Sequence, residues 1–334
     1  MIARTDSGRD GCAGIALALG LALAIAFPAM AGLHDAEPIR PLPVEIGDVD
    51  PDRVALGERL FNDPRLSRDG RLACATCHHL DRGGDDGLPR GITNSGEPDI
   101  VNTPTVFNAR YNFRLTWRGK FRTLEAQAEG ALRNPRHGAT DWPELLPKLR
   151  QDPEYRRAFA KAYPQGITRE SVLDAIASFE RTLVTPNAPF DRWLRGDARA
   201  VDAEVLRGYE LFRSYGCIAC HQGMNVGGNM FQKFGVFREP AHEQDATPMD
   251  EGRFTLTGDE ADRGVFRVPS LRNVAVTAPY FHDGEVTALD EAIRVMGEVQ
   301  LGIEIPPADR RLIKAFLHSL TGEYQGRSLA EARP

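Results

Sequence analysis

Basic residues fall short of acidic ones in this 334-residue chain, 41 Lys and Arg against 47 Asp and Glu. The formal net charge of −6 leaves no basic excess to attract a nucleic-acid backbone. Only one long apolar run occurs, Ala13 to Phe27, and it is shorter than the ~20 residues a membrane span needs. Arg4 and Arg9 precede it and Pro28-Ala29-Met30-Ala31-Gly32 follows, so residues 1–31 are expected to be a secretory signal cleaved after Ala31. That removal leaves a protein without a membrane attachment, expected in a bacterial periplasm. Cysteine is also scarce, five in all, and Cys12 lies in the segment to be removed. What is plentiful is ordinary: 42% hydrophobic and 26% charged residues exclude disorder and suffice for two domains.

The four cysteines that remain form two copies of one arrangement. Residues 74–78 read "CATCH" and 217–221 read "CIACH". A Cys-x-x-Cys pair alone fits a zinc clamp or a redox dithiol, but neither needs a histidine after each pair. Cys-x-x-Cys-His is the c-type haem attachment sequence, in which Cys74, Cys77, Cys217 and Cys220 form thioethers and His78 and His221 become axial iron ligands. Two c-type haems are therefore expected.

The surroundings are duplicated too. "LGERLF" (56–61) precedes the first motif and "RGYELF" (207–212) the second, matching Gly57, Leu60 and Phe61 with Gly208, Leu211 and Phe212. Leu and Phe on one helix face suit packing on a porphyrin, and Gly permits a close helix crossing. Each unit should close with an amphipathic helix: Val172, Leu173, Ile176, Phe179 and Leu183 recur at helical spacing after a start signal at Thr168, and Leu312, Ile313, Phe316, Leu317 and Leu320 repeat the pattern. The expected fold is mainly α, two cytochrome c-type domains with long loops, over residues 44–195 and 196–326. The boundary falls in the Pro-, Asp- and Gly-rich stretch Thr185 to Ala200, near Gly196. The irregular stretch Asp81 to Asn102 exceeds what an electron carrier needs and is expected to shape an active site.

A haem with two strong axial ligands transfers electrons, whereas an open sixth position binds a small ligand. The two irons are thus expected to differ in the partners of His78 and His221.

With these motifs the chain resembles the bacterial diheme cytochrome c peroxidases, in the superfamily that includes MauG-type enzymes. The resemblance runs from about Val44 to Gln325 through "GGDDGLP" (83–89), "NTPTVFNA" (102–109), "LEAQAEG" (124–130), "FERTLVTPN" (179–187), "GCIACHQG" (216–223), "VPSLRNVAVTAPYFHDG" (268–284) and "AIRVMGEVQLG" (292–302). It implies that Met296 is the sixth ligand of the C-terminal haem and that Trp117 relays electrons between the haems. It further implies that Asn102, Thr277 and Pro279 hold a calcium ion between the domains.

At the N-terminal haem the chain departs from the family pattern. Family members carry a histidine sixteen residues after the first motif's histidine; counting from His78 reaches Asn94, and no histidine lies between His79 and His137. This iron is expected to be five-coordinate or water-bound at rest. Above the peroxide site the family has a glutamine, here Gln127, and a glutamate, replaced here by His137, which can move a proton near neutrality. The family's "WDGR" becomes Trp117-Arg118-Gly119-Lys120, losing an acid. The resemblance implies reduction of hydrogen peroxide with electrons from a small cytochrome c or cupredoxin. A MauG-like oxidation of Tyr or Trp in a partner protein and a purely electron-carrying diheme protein are the alternatives. Relatives are often dimers, so a homodimer is among the assemblies it allows.

Overall fold

The computed structural model describes residues 37–47, 49–240 and 247–331. The expected signal, residues 1–31, lies outside them. Among the described residues no helix is long and apolar enough to cross a membrane.

The chain is mainly helical. Its α-helices are α1 (Pro51–Phe61), α2 (Cys74–Cys77), α3 (Leu124–Arg133), α4 (Trp142–Gln151), α5 (Pro153–Ala162), α6 (Arg169–Glu180), α7 (Pro189–Leu194), α8 (Ala203–Ser214), α9 (Phe254–Thr257), α10 (Leu289–Leu301) and α11 (Pro307–His318). Strands are few: β1 (Phe231–Lys233) pairs antiparallel with β2 (Val265–Arg267), and β3 (Glu323–Tyr324) with β4 (Arg327–Ser328). Asp50 caps α1 by accepting from the Asp52 and Arg53 amides, and Thr168 caps α6 by accepting from the Ser171 amide.

Two helix pairs carry the architecture, α1 against α6 and α8 against α11, and each crosses at a glycine. A Cβ on Gly57 would stand 1.9 Å from the Ala175 carbonyl oxygen, and one on Gly208 would stand 2.0 Å from that of Leu312. Only a residue without a Cβ lets the backbones approach so closely. Phe61 meets Phe179 at 5.3 Å between ring centroids, and Phe212 meets Phe316 at 5.1 Å. The correspondence extends into the loops: Asn108 and Asn273 both adopt left-handed backbone, φ 60° and 62°. Both reach one buried hydroxyl, the Asn108 amide donating to Thr185 Oγ1 at 2.8 Å and the Asn273 amide at 3.0 Å.

Two segments that precede α8 in the chain join the core around α8, α10 and α11. Thr185 to Ala200, expected to hold a domain boundary near Gly196, contains α7, whose Phe190 and Asp191 are fully buried; Phe190 and Leu194 sit in the same apolar cluster as α8, α10 and α11. Residues ahead of α1 also join that cluster through Ile39, with the Arg40 amide donating to the Gly223 carbonyl at 3.2 Å. Both segments are tied down by Arg272. Its guanidinium contacts Asp191 Oδ1 at 2.6 Å and donates to the Arg40 and Met224 carbonyls at 2.8 and 3.0 Å.

Candidate functional site: two cavities that share a wall

One cavity is built on each Cys-x-x-Cys-His motif. Cys74, Cys77 and His78 line the first, of about 900 Å³, with Gln127 on α3, His137, Glu180 and the loop 99–106. Cys217, Cys220 and His221 line the second, of about 250 Å³, with Phe212, Ile293 and Met296 on α8 and α10. Trp117, Asn102, Asn112, Arg267 and residues 103–105 line both.

The anchors fit a covalently held haem. All four cysteines are unpaired thiols; burial pushes Cys74 up to about 12 and Cys77 and Cys217 to about 11. Such thiols are poor thiolate nucleophiles, which argues against a redox dithiol and suits alkylated sulfur. His78 Nδ1 donates to the Gly84 carbonyl at 3.1 Å and His221 Nδ1 to the Val226 carbonyl at 3.4 Å. That tautomer leaves each Nε2 as the ligating atom, with its orientation fixed by a hydrogen bond behind it. Burial lowers both imidazoles, His221 to about 4, so the rings are neutral, the form that binds a metal. Of the two phenylalanines expected on the porphyrin, Phe212 lines the second cavity and Phe61 does not line the first; each lies near its histidine, 6.4 Å and 6.5 Å between ring centroids.

Asn94 occupies no part of the first cavity's wall. Its amide donates to the Pro135 carbonyl at 2.9 Å and its backbone N–H to that of Arg136 at 2.8 Å. The stretch Asp81 to Asn102 is irregular apart from one short bridge, Ile92 to Pro98, and supplies Gly91, Ile92 and residues 99–102 to the cavity wall. Gln127 faces the cavity with no side-chain hydrogen bond among the described residues. His137 has both ring nitrogens engaged: Nε2 donates to Asp99 Oδ2 at 2.8 Å, and Nδ1 accepts from the Asn134 amide at 3.0 Å. Burial would raise the Asp99 carboxyl, but hydrogen bonds from His137, the Ile100 amide and Arg136 outweigh it and hold Asp99 near about 2.

Trp117 Nε1 donates to the Asn102 carbonyl at 2.9 Å, and the Asn102 amide N–H donates to the His282 carbonyl at 2.8 Å. The Asn102 side-chain amide donates to the Leu88 carbonyl at 2.9 Å, so only its oxygen stays available to a hard cation. Thr277 and Pro279 line the second cavity, which Asn102 shares. In "WRGK", Arg118 Nη1 donates to Thr255 Oγ1 and Gly119 packs against Phe231; nothing in the structure explains the lost acid.

Sequence reasoning missed Asp99, Glu180 and Arg267. Glu180 lies inside "FERTLVTPN" and Arg267 directly precedes "VPSLRNVAVTAPYFHDG", but neither they nor Asp99 adjoin a Cys-x-x-Cys-His motif, and only the fold brings them to the cavities. Glu180 ends α6 with 7% exposure, and its Oε2 lacks a hydrogen bond. Burial and, secondarily, the Glu125 charge push it up to about 8 despite Arg181. The folded chain therefore holds a proton on Glu180 between about pH 4.5 and 8 that the unfolded chain has released. The contribution of Glu180 to stability therefore falls as pH rises through that window and levels off above it. The melting midpoint of Glu180→Gln relative to wild type is expected to rise between pH 5 and pH 8; a pH-independent difference would contradict the assignment.

The profile of the di-haem cytochrome c peroxidase family matches residues 51–199. Over 292 residues the chain is 44% identical to "Cytochrome c peroxidase Ccp" of Escherichia coli, covering 87% of this chain and 62% of that protein. It is 39% identical to "Cytochrome c551 peroxidase" of Nitrosomonas europaea, covering 91% of this chain and 90% of that one. Among solved structures, a MauG-like protein associated with microbial copper homeostasis superposes with a TM-score of 0.74 at 30% identity, over 86% of this chain and 93% of that one.

Proposed function

The chain belongs to the di-haem cytochrome c peroxidase family, and from that premise we propose that it is a periplasmic peroxidase reducing hydrogen peroxide to two waters with two electrons and two protons. A small cytochrome c or cupredoxin supplies the electrons, and the signal over residues 1–31 directs export. Two cytochrome c-type domains, 44–195 and 196–326, each hold one covalent haem, the first through Cys74, Cys77 and His78, the second through Cys217, Cys220 and His221. Bound there, the haems supply the electron storage and the iron position at which peroxide is cleaved.

The observation that carries this reading is the asymmetry of the two cavities. Met296 and a buried neutral His221 both line the smaller one, a ligand pair suited to receiving electrons. The larger one holds Gln127 and the His137–Asp99 pair, and Asn94 stands outside it. Gln127 orients peroxide, His137 moves its proton, and Trp117, in the shared wall, passes the electrons. Asn102, Thr277 and Pro279 are proposed to hold a calcium ion. Mixing the fully reduced holoprotein with hydrogen peroxide is expected to reoxidise both haems within the mixing time of a stopped-flow instrument. Haems that stay reduced would overturn the reading. Oxidation of a Tyr or Trp in a partner protein draws on the same open site and on the MauG-like structural neighbour; a Tyr ligand in place of Met296 would have favoured it.

A further inference from the structure

Arg267 at the end of β2 is 5% exposed, yet no carboxylate lies in ion-pair reach of it among the described residues. Its guanidinium finds only neutral acceptors: Nε donates to the Thr116 carbonyl at 3.2 Å, and Nη1 makes longer contacts to the Val268 carbonyl at 3.3 Å and Asn112 Oδ1 at 3.4 Å. Nη2 makes no hydrogen bond among the described residues. Burial alone pulls this group down to about 10, with no acid nearby to pull it back. A buried charge left unpaired is costly and rarely tolerated. The contrast is Arg272, five residues on, which is wholly buried and has its own carboxylate, Asp191, at 2.6 Å.

The location says what the missing partner is. Arg267 lines both cavities. Its backbone N–H donates to the Trp117 carbonyl at 2.8 Å, as the Asn102 N–H donates to the His282 carbonyl at 2.8 Å. Asn102, which also lines both cavities, thus stands in the first half where Arg267 stands in the second. A c-type haem brings two propionate carboxylates into its cavity, and a guanidinium fork matches a carboxylate in charge and in geometry.

We propose that Arg267 is the receptor for haem propionate at the junction of the two cavities. The proposal rests on the two-haem reading above, because the propionate belongs to one haem or the other. A fixed cation beside a propionate disfavours the ferric state, so removing it lowers that haem's reduction potential.

The test is a redox titration of holoprotein, wild type against Arg267→Met and Arg267→Lys, after haem has been counted per chain. Fewer than two haems in wild type would sink the two-haem reading and this proposal together. With two haems present, Arg267→Met is expected to shift at least one haem's reduction equilibrium about tenfold toward ferric, 59 mV for one electron, with Arg267→Lys recovering part of it. The haem that shifts identifies whose propionate is held, and a shift in both means that both reach it. Wild-type potentials in both variants would overturn the proposal, whether or not their melting points fall. Should the methionine variant fail to take up haem, Arg267→Gln, which stays polar but removes the charge, takes its place: unshifted potentials with an unshifted propionate bending band in its resonance Raman spectrum overturn the proposal.

Discussion

His137→Ala is expected to lower kcat/KM for hydrogen peroxide by about 10²–10⁴-fold, the range for loss of a positioned general acid–base, while leaving haem content unchanged. Cleaving peroxide unevenly requires a proton to leave one oxygen and reach the other. His137 suits that work because of what holds it. An ionised Asp99 accepts from Nε2 at 2.8 Å, fixing the proton there and supporting the cation that forms when Nδ1 takes a second one. Nδ1 is reached by releasing a single hydrogen bond, that from Asn134 at 3.0 Å. Asp99→Asn is expected to lower activity less, since the ring keeps a hydrogen-bond partner at Nε2 but loses the anionic one. An alanine variant within threefold of wild type would make His137 a bystander of the loop it sits on.

Breaking the Arg272–Asp191 pair is the change with the largest expected effect on stability. Both side chains are 0% exposed, 2.6 Å apart. Arg272→Met leaves the Asp191 carboxylate buried with only the Leu42 amide, at 3.3 Å, and is expected to cost about 3–5 kcal/mol. It also frees the carbonyls of Arg40 and Met224, loosening the N-terminal strap and the loop behind His221. The double replacement Arg272→Met with Asp191→Leu should restore much of that loss, because an apolar pair has no charge to bury. Denaturant unfolding of the four proteins in a double-mutant cycle measures the coupling. A single variant costing less than about 1 kcal/mol, the range of an exposed pair, would show that the site takes up water.

The parts of this fold legible in the sequence were those fixed by near neighbours. Haem attachment needs two thiols and an imidazole within five residues, and helical spacing alone placed α6 and α11 with Thr168 at the start of α6. Gly57 and Gly208 were readable because the same Gly-x-x-Leu-Phe pattern stands ahead of both motifs, and each turns out to lie in a backbone crossing. What escaped depends on pairs far apart in the chain. Thr185 to Ala200 has a linker's composition, and its end around Gly196 is exposed, but its first part is buried, because Asp191 answers Arg272 and Phe190 packs on Tyr209 and Phe316. Nothing in the sequence marks Asp99 or Arg267: only the fold sets Asp99 against His137 and leaves Arg267 buried without an acid beside it.

Peroxide reduction by this chain requires one iron closed by Met296 while the other keeps a face open to peroxide. Electron paramagnetic resonance of the resting, fully oxidised holoprotein reads each iron separately. The expected spectrum has one low-spin signal from a His/Met haem and one high-spin or water-bound signal that cyanide converts to low spin. Two low-spin signals that cyanide leaves unchanged, in the oxidised and the half-reduced protein alike, would contradict it.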